Sequence, residues 1–296
     1  MDRAESDLIF HLEKSCRDKC EAWGEFFVDA LTDFFVWKQD PRGYLSDAAA
    51  HYLIESIAPN GKVSSRTQLE FLINVVHWSS HCPEEVVLLC LEAVKESVLQ
   101  GTGAYGEGRV AGVIDQVDVE LVRKVVYAQG GDGSLTITRR EAELLFDLND
   151  ATVNAQNADT WQDLFVRAVA SHLMFPRGAP AVADADEMKR RDAWLSDRRG
   201  VGGLLMAVGR ALANPIKSWS AAGLGDEDGD GTSRSAVERE AFARESIDAA
   251  EAEWLITRIT KDGILHPNER ALMVFIKENS PRIHPSLMPL FEEFGL

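Results

Sequence analysis

The stretch Trp-Leu-Ile-Thr-Arg-Ile-Thr-Lys-Asp-Gly-Ile-Leu at positions 254–265 decides the fold, because the chain contains it three times. Residues 52–63 match it position for position, with Asn60-Gly61 in place of Asp-Gly. Residues 121–135 form the remaining copy, the second in chain order, in which the Asp-Gly pair comes about one helical turn later. Each copy is an apolar segment with helical spacing that ends in Asn/Asp-Gly and an aliphatic residue.

This pattern predicts helical hairpins, each with a glycine turn between two helices. Glycine accepts the left-handed backbone that ends a helix, and the Asp or Asn before it can bond the backbone amides of the turn. We therefore expect an all-α fold, a helical bundle built from three tandem helix-turn-helix repeats. The expected boundaries are residues 1–175 for an N-terminal helix plus two repeats, 176–243 for a flexible linker with a basic amphipathic helix, and 244–296 for a shortened third repeat.

Residues 5–38 predict one or two amphipathic helices, with an apolar face that includes Cys16 and Cys20. Together with His77 and His81 these cysteines could supply four zinc-type ligands. Burial on the apolar face is the alternative explanation of the two cysteines, and we prefer it.

The composition narrows the class of protein. The chain has 31 basic and 48 acidic residues, a net charge of −17, which argues against nucleic-acid binding. Four cysteines among 296 residues do not suggest a disulfide scaffold. The sequence shows neither a secretory leader nor an apolar run of membrane-spanning length, so we expect a cytoplasmic protein.

The segment 261–272, Lys-Asp-Gly-Ile-Leu-His-Pro-Asn-Glu-Arg-Ala-Leu, resembles two families. It is similar to the TerB-like helical family, named for tellurite resistance, which carries an Asp-Gly-x-Ile/Leu-x-x-x-Glu phrase between helices. That resemblance implies an all-helical, stress- or envelope-associated module without catalytic residues to carry over. The segment also resembles an EF-hand loop, with Glu269 at position twelve, but Arg258 and Thr260 at positions one and three cannot bind calcium.

A better calcium loop lies in residues 226–237. Asp226, Asp228 and Asp230 occupy positions one, three and five of the EF-hand pattern, and Glu238 follows one place after position twelve. Carboxylates at this spacing are the ligands that Ca²⁺ prefers. We interpret the segment as an acidic loop, with weak divalent-cation binding as the alternative.

A basic segment interrupts the acidic chain. Residues 188–219 contain seven Lys or Arg and two Asp, a net charge of +5. Within this segment the basic cluster at 189–199 is followed by apolar residues at helical spacing. Such a helix can dock on the protein's own acidic repeats, bind a protein partner or lie on an anionic membrane surface. The candidate contact residues are Lys189, Arg190, Arg191, Trp194, Arg198 and Arg199.

The sequence contains no nucleophile elbow, phosphate loop or dinucleotide fingerprint. We therefore expect a non-enzymatic protein that binds a protein partner and needs no cofactor. A calcium-responsive module is the alternative.

Overall fold

The computed structural model describes residues 1–16, 18–128, 137–174, 247–280 and 283–296. These residues form eleven α-helices and no strand, which confirms the predicted all-α class. A π-helix at Asp33–Trp37 follows the second α-helix, and a 3₁₀-helix at Pro285–Leu287 precedes the last one. The α-helices are α1 (Arg3–Ser15), α2 (Glu21–Thr32), α3 (Asp47–Ile57), α4 (Arg66–Trp78), α5 (Glu84–Gln100), α6 (Gln116–Val126), α7 (Arg139–Ala151), α8 (Thr160–Met174), α9 (Ala249–Ile259), α10 (Pro267–Asn279) and α11 (Met288–Glu293).

The described chain divides into two compact units. The first runs from Met1 to Leu164 and holds α1 to α7 with the start of α8. The second consists of the rest of α8 together with residues 247–280 and 283–296. Within the part of the chain that the structure describes, no helix has the length and apolar character needed to cross a bilayer.

Aromatic rings form the core of the first unit where α1, α2 and α4 meet. Phe27 and Phe71 are fully buried and meet edge to face, with ring centroids 5.7 Å apart. Phe10 and Phe35 lie within about the same distance of Phe71, at 6.3 Å and 5.8 Å between centroids. Burying rings of this size removes the largest apolar surfaces from water, so this cluster fixes how α2 packs on α4.

The first copy of the phrase forms a helix, a glycine turn and a second helix. Helix α3 begins after Ser46, whose side chain accepts from the Ala49 amide. The chain turns at Gly61, which has a left-handed φ of 72°, and enters α4. Val63 is 2% exposed and packs the turn onto the core.

The copy at 254–265 forms the same arrangement in the second unit. Helices α9 and α10 flank Gly263, which has a φ of 75°. Here Leu265, the counterpart of Val63, is only half-buried, so this turn is packed less tightly than the first. The turn of the copy at 121–135 lies outside the described residues, and the threefold repeat stays a prediction.

The predicted burial of Cys16 and Cys20 is wrong. Helix α1 ends at Ser15, α2 begins at Glu21, and both cysteines are exposed. Their backbones are extended, with ψ of 119° at Cys16 and 159° at Cys20. The apolar spacing continues across this break because the two helices bury similar faces, and spacing alone does not reveal where one helix stops.

Candidate functional site

The sequence-predicted binding residues lie outside the described part of the chain. This holds for the calcium-loop candidates Asp226, Asp228, Asp230 and Glu238. It also holds for the basic contact candidates Lys189, Arg190, Arg191, Trp194, Arg198 and Arg199. Calcium binding by the acidic loop and partner or membrane contact by the basic segment therefore stay predictions.

The described residues contain no group of three or more His, Cys, Asp or Glu side chains that could hold a metal ion. The zinc hypothesis required Cys16, Cys20, His77 and His81 to meet, and the structure does not bring these four side chains together. His81 instead stacks on Tyr44.

The third residue of the second helix in each copy is buried, and it has a structural role. Glu269 is 2% exposed, and its carboxylate accepts from the His266 amide at 2.8 Å. The Glu141 carboxylate accepts from the Thr138 amide at 3.1 Å, and the side-chain oxygen of Gln68 accepts from the Ser64 amide at 3.1 Å. These side chains satisfy amides at helix starts that have no partner within the helix. Glu269, which falls at EF-hand position twelve, therefore caps its own helix.

A buried ionic cluster holds the glycine-rich connector after α5. Asp118 is fully buried and accepts from the Tyr105 hydroxyl at 2.7 Å and from Arg109 Nη2 at 2.5 Å. Burial raises the pKa of Asp118 and also that of Tyr105. Every polar group of this cluster has a partner, so we assign it to the positioning of the connector against α6.

The strongest candidate site lies where the π-helix and the end of α4 meet. The π-helix Asp33–Trp37 buries Phe35 and Val36 and leaves Trp37 half-buried. Its wider turn is closed by the Lys38 amide, which donates to the Asp33 carbonyl at 2.9 Å. Single π turns are rare and occur frequently at functional sites.

Two loops pair beside this turn. The Gly43 amide donates to the Val36 carbonyl at 2.8 Å, and the Gly43 carbonyl accepts from the Ser80 amide at 2.8 Å. Leu45 is fully buried, and its amide donates to the His81 carbonyl at 2.9 Å. These backbone bonds fix the loop after the π-helix against the loop after α4.

Glycine is required at position 43. Its φ is 80°, and a Cβ there would lie 3.1 Å from Ser80 Oγ. A side chain at Gly43 would therefore strain the backbone and press against Ser80 of the facing loop.

The paired loops present a surface of aromatic rings, which we call the aromatic surface. Trp37 and Trp78 have ring centroids 6.1 Å apart and planes inclined by 51°. Tyr44 is 42% exposed, and the rings of His77, Trp78, Trp37 and His81 are half-buried. The aromatic surface consists of Trp37, Arg42, Tyr44, His77, Trp78 and His81.

A cationic side chain lies over one of these rings. The guanidinium of Arg42 lies over the Trp37 ring, 4.9 Å from its centroid. Such stacking keeps the guanidinium flat on the ring while its N–H groups remain able to bind an acceptor. Cys82 lies next to the surface in sequence, but it is 1% exposed and burial raises its pKa to about 12, so its thiol is not a nucleophile.

We compared the chain with protein-family models, curated proteins and solved structures, and none of them matches it. The TerB-like resemblance therefore stays a prediction.

Sequence reasoning missed the aromatic surface. The loop Asp40-Pro41-Arg42-Gly43 follows the π-helix. The available signal was that aromatic residues stand at both helix ends, Trp37 before this loop and Trp78 before the next. Their juxtaposition depends on a π turn and on backbone pairing between segments about forty positions apart, and neither has a sequence pattern.

Proposed function

We propose that the protein is a non-enzymatic, all-helical module that binds a protein partner through the aromatic surface. One observation carries the proposal: two tryptophans at helix ends and a tyrosine on one of the paired loops remain partly exposed, with an arginine stacked over one indole. Trp, Tyr and Arg are the residues that most often dominate binding energy at protein interfaces.

Rigidity of the surface supports the proposal. The Tyr44 and His81 backbones form a bridge, and the Gly43 carbonyl accepts from the loop after α4. A surface already held in one conformation loses little conformational entropy on binding, so more of the contact energy appears as affinity.

The chemistry of the surface indicates the kind of partner. The inclined indoles of Trp37 and Trp78 suit an apolar side chain such as proline or leucine, and the Arg42 guanidinium suits a carboxylate next to it. We therefore propose a peptide segment of another protein that carries an apolar residue beside an acidic one. A second copy of the chain is disfavoured, because two bodies of charge −17 repel each other.

Selection from a library of random short peptides on the full chain tests this function. We expect enriched peptides to combine an apolar residue with an acidic one, and to lose at least tenfold in affinity for a Trp78→Ala variant, which corresponds to about 1.4 kcal/mol. The matched control is Phe26→Ala, since Phe26 is a 53% exposed aromatic residue on α2. Peptides that bind wild type and Trp78→Ala equally, or a library without enrichment, would contradict the proposal.

A further inference from the structure

The four cysteines fall into two pairs with opposite environments. Cys82 and Cys90 are buried, and burial raises both thiol pKa values, that of Cys82 to about 12. Cys16 and Cys20 are exposed. Since the thiolate is the reacting form and must reach its reagent, chemistry at cysteine is confined to Cys16 and Cys20.

The segments that flank these two exposed thiols come together, and the Phe10 ring of α1 meets the Phe27 ring of α2 with centroids 6.0 Å apart. Cys16 is the C-cap of α1 and Cys20 is the N-cap of α2, with three residues between them. Glu13, before the first cysteine, accepts from Lys19 Nζ at 2.9 Å and from Trp23 Nε1 at 2.6 Å. The residues before and after the cysteine segment therefore meet at one carboxylate.

That carboxylate is fixed to the rest of the unit. The side chain of Glu13 is 2% exposed, and its other oxygen accepts from Ser65 Oγ at 2.9 Å. Ser65 in turn caps α4 through the Gln68 amide. A buried charge with three hydrogen-bond partners holds its position firmly, so the approach of the two segments that flank the thiols is built into the fold.

We propose that Cys16 and Cys20 are a redox-active thiol pair that closes to a disulfide with a low-molecular-weight disulfide of the glutathione type. This site is separate from the aromatic surface and does not depend on the proposed partner. Nothing else in the described residues uses these thiols.

The exchange proceeds in two steps. One cysteine thiolate attacks the oxidant, forms a mixed disulfide and releases one small thiol. The second cysteine thiolate then attacks the protein sulfur of the mixed disulfide, forms the Cys16–Cys20 bond and releases the second small thiol. The protein loses two electrons and two protons, and the oxidant is reduced to two thiols.

Attack of the second cysteine on the mixed disulfide competes with attack by another small thiol. The fixed approach of the flanking segments favours attack by the second cysteine. Five residues fully extended span at most roughly 16–18 Å, and the meeting of Lys19 and Trp23 at Glu13 shortens the path between the thiols. A short flexible tether gives an effective concentration on the order of mM. The cysteine pair should reach or exceed that effective concentration because the segments before and after it already meet at Glu13.

Equilibration of the full chain with reduced and oxidised glutathione tests the proposal. After alkylation of the remaining thiols, mass spectrometry should find a Cys16–Cys20 disulfide, with Cys82 and Cys90 alkylated only after denaturation. When half of the protein carries the disulfide, the squared concentration of reduced glutathione divided by the concentration of oxidised glutathione should be on the order of 1 mM or more. The single variants Cys16→Ser and Cys20→Ser should instead carry one glutathione on the remaining exposed cysteine.

Three results would overturn the proposal. One is a wild-type chain with glutathione on both Cys16 and Cys20 and no internal disulfide. Another is a chain whose exposed thiols stay reduced under conditions that modify both single variants. The third is a half-oxidation ratio well below about 1 mM, since closure would then be less favourable than across a short flexible tether. Failure of the peptide-binding proposal would leave each of these outcomes unaffected.

Discussion

The Tyr44 ring stacks on the His81 imidazole, with centroids 4.3 Å apart and planes inclined by only 14°. The two residues also pair through their backbones, and the neighbouring Leu45 amide donates to the His81 carbonyl. This contact joins the loop after the π-helix to the loop after α4. The aromatic surface is therefore a consequence of how two helix ends are fastened together in the first unit.

The repeat predicts that alanine substitution lowers the free energy of unfolding by the same amount at Gly61, Gly133 and Gly263. Gly61 and Gly263 have left-handed φ values of 72° and 75°, and a Cβ at either position would meet no atom within 4 Å. Alanine should therefore destabilise each site by backbone strain alone, about 1 kcal/mol. Denaturant unfolding should show the same loss for Gly133→Ala, whose turn lies outside the described residues.

The control for this series is Gly24→Ala in α2. A Cβ there would meet Thr67 at an ordinary 3.6 Å, and its φ is not positive. Alanine should leave stability unchanged or raise it by up to about 1 kcal/mol, because helices favour alanine over glycine. A Gly133→Ala variant as stable as wild type would remove the turn at 121–135 from the repeat.

The turn between α9 and α10 should show an acid-side pH dependence. The His266 ring lies with Nε2 2.7 Å from Asp262 Oδ2, and this hydrogen bond is the main cause that lowers the pKa of Asp262 below its ordinary 3.8. A lowered carboxyl pKa contributes stability above the ordinary value, and that contribution is lost as pH falls through the folded-state pKa. An NMR titration of the carboxyl carbon should therefore give a pKa below 3.8 in wild type.

In a His266→Ala variant we expect the pKa of Asp262 to rise toward its ordinary value. His51→Ala is the matched control, because His51 pairs with Glu55 on α3 in the first unit. An Asp262 pKa that is the same in all three proteins would contradict the assigned role of His266.

Removing one charged partner from the Asp118 cluster should strongly lower the free energy of unfolding. An Arg109→Met substitution leaves Asp118 buried without its cation, and we expect a loss of about 3–5 kcal/mol near neutral pH. The pKa of Asp118 is already raised by burial and should rise further in the variant. Folding then takes up a proton, so the loss should shrink as pH falls toward 4.

Two variants complete this test. Arg109→Met with Asp118→Asn should recover part of the stability, because the uncompensated buried charge is gone. Arg66→Met should cost less than about 1 kcal/mol, since Arg66 and Glu70 form an exposed pair. Urea unfolding that gives Arg109→Met and Arg66→Met equal losses would show that the cluster is not an ionic support of the fold.

The calcium hypothesis from the sequence can be tested by calorimetry. We expect any heat of Ca²⁺ binding to disappear when Asp226, Asp228 and Asp230 are all changed to Asn. The hairpin turns should bind none, because Glu269 is buried and engaged with the His266 amide. A heat signal that survives the triple substitution would place a calcium site elsewhere in the chain.

Local patterns in the sequence predicted much of the fold. The Asn60-Gly61 and Asp262-Gly263 turns depend on the chemistry of their own residues, and each follows a helix with a left-handed glycine, as predicted. The apolar spacing allowed one or two helices over residues 5–38 and did not locate the break between α1 and α2, near which Glu13 contacts the distant Ser65. The aromatic surface was missed because only folding brings Trp37 next to Trp78.

The most direct test of the aromatic surface follows the tryptophan indole N–H signals of the full chain by NMR while a library-selected peptide is added. The signals of Trp37 and Trp78 should shift with the peptide, whereas those of the buried Trp161 and Trp254 should stay in place. If the peptide binds and the Trp37 and Trp78 signals remain unmoved, the partner uses another surface and the proposed function is contradicted.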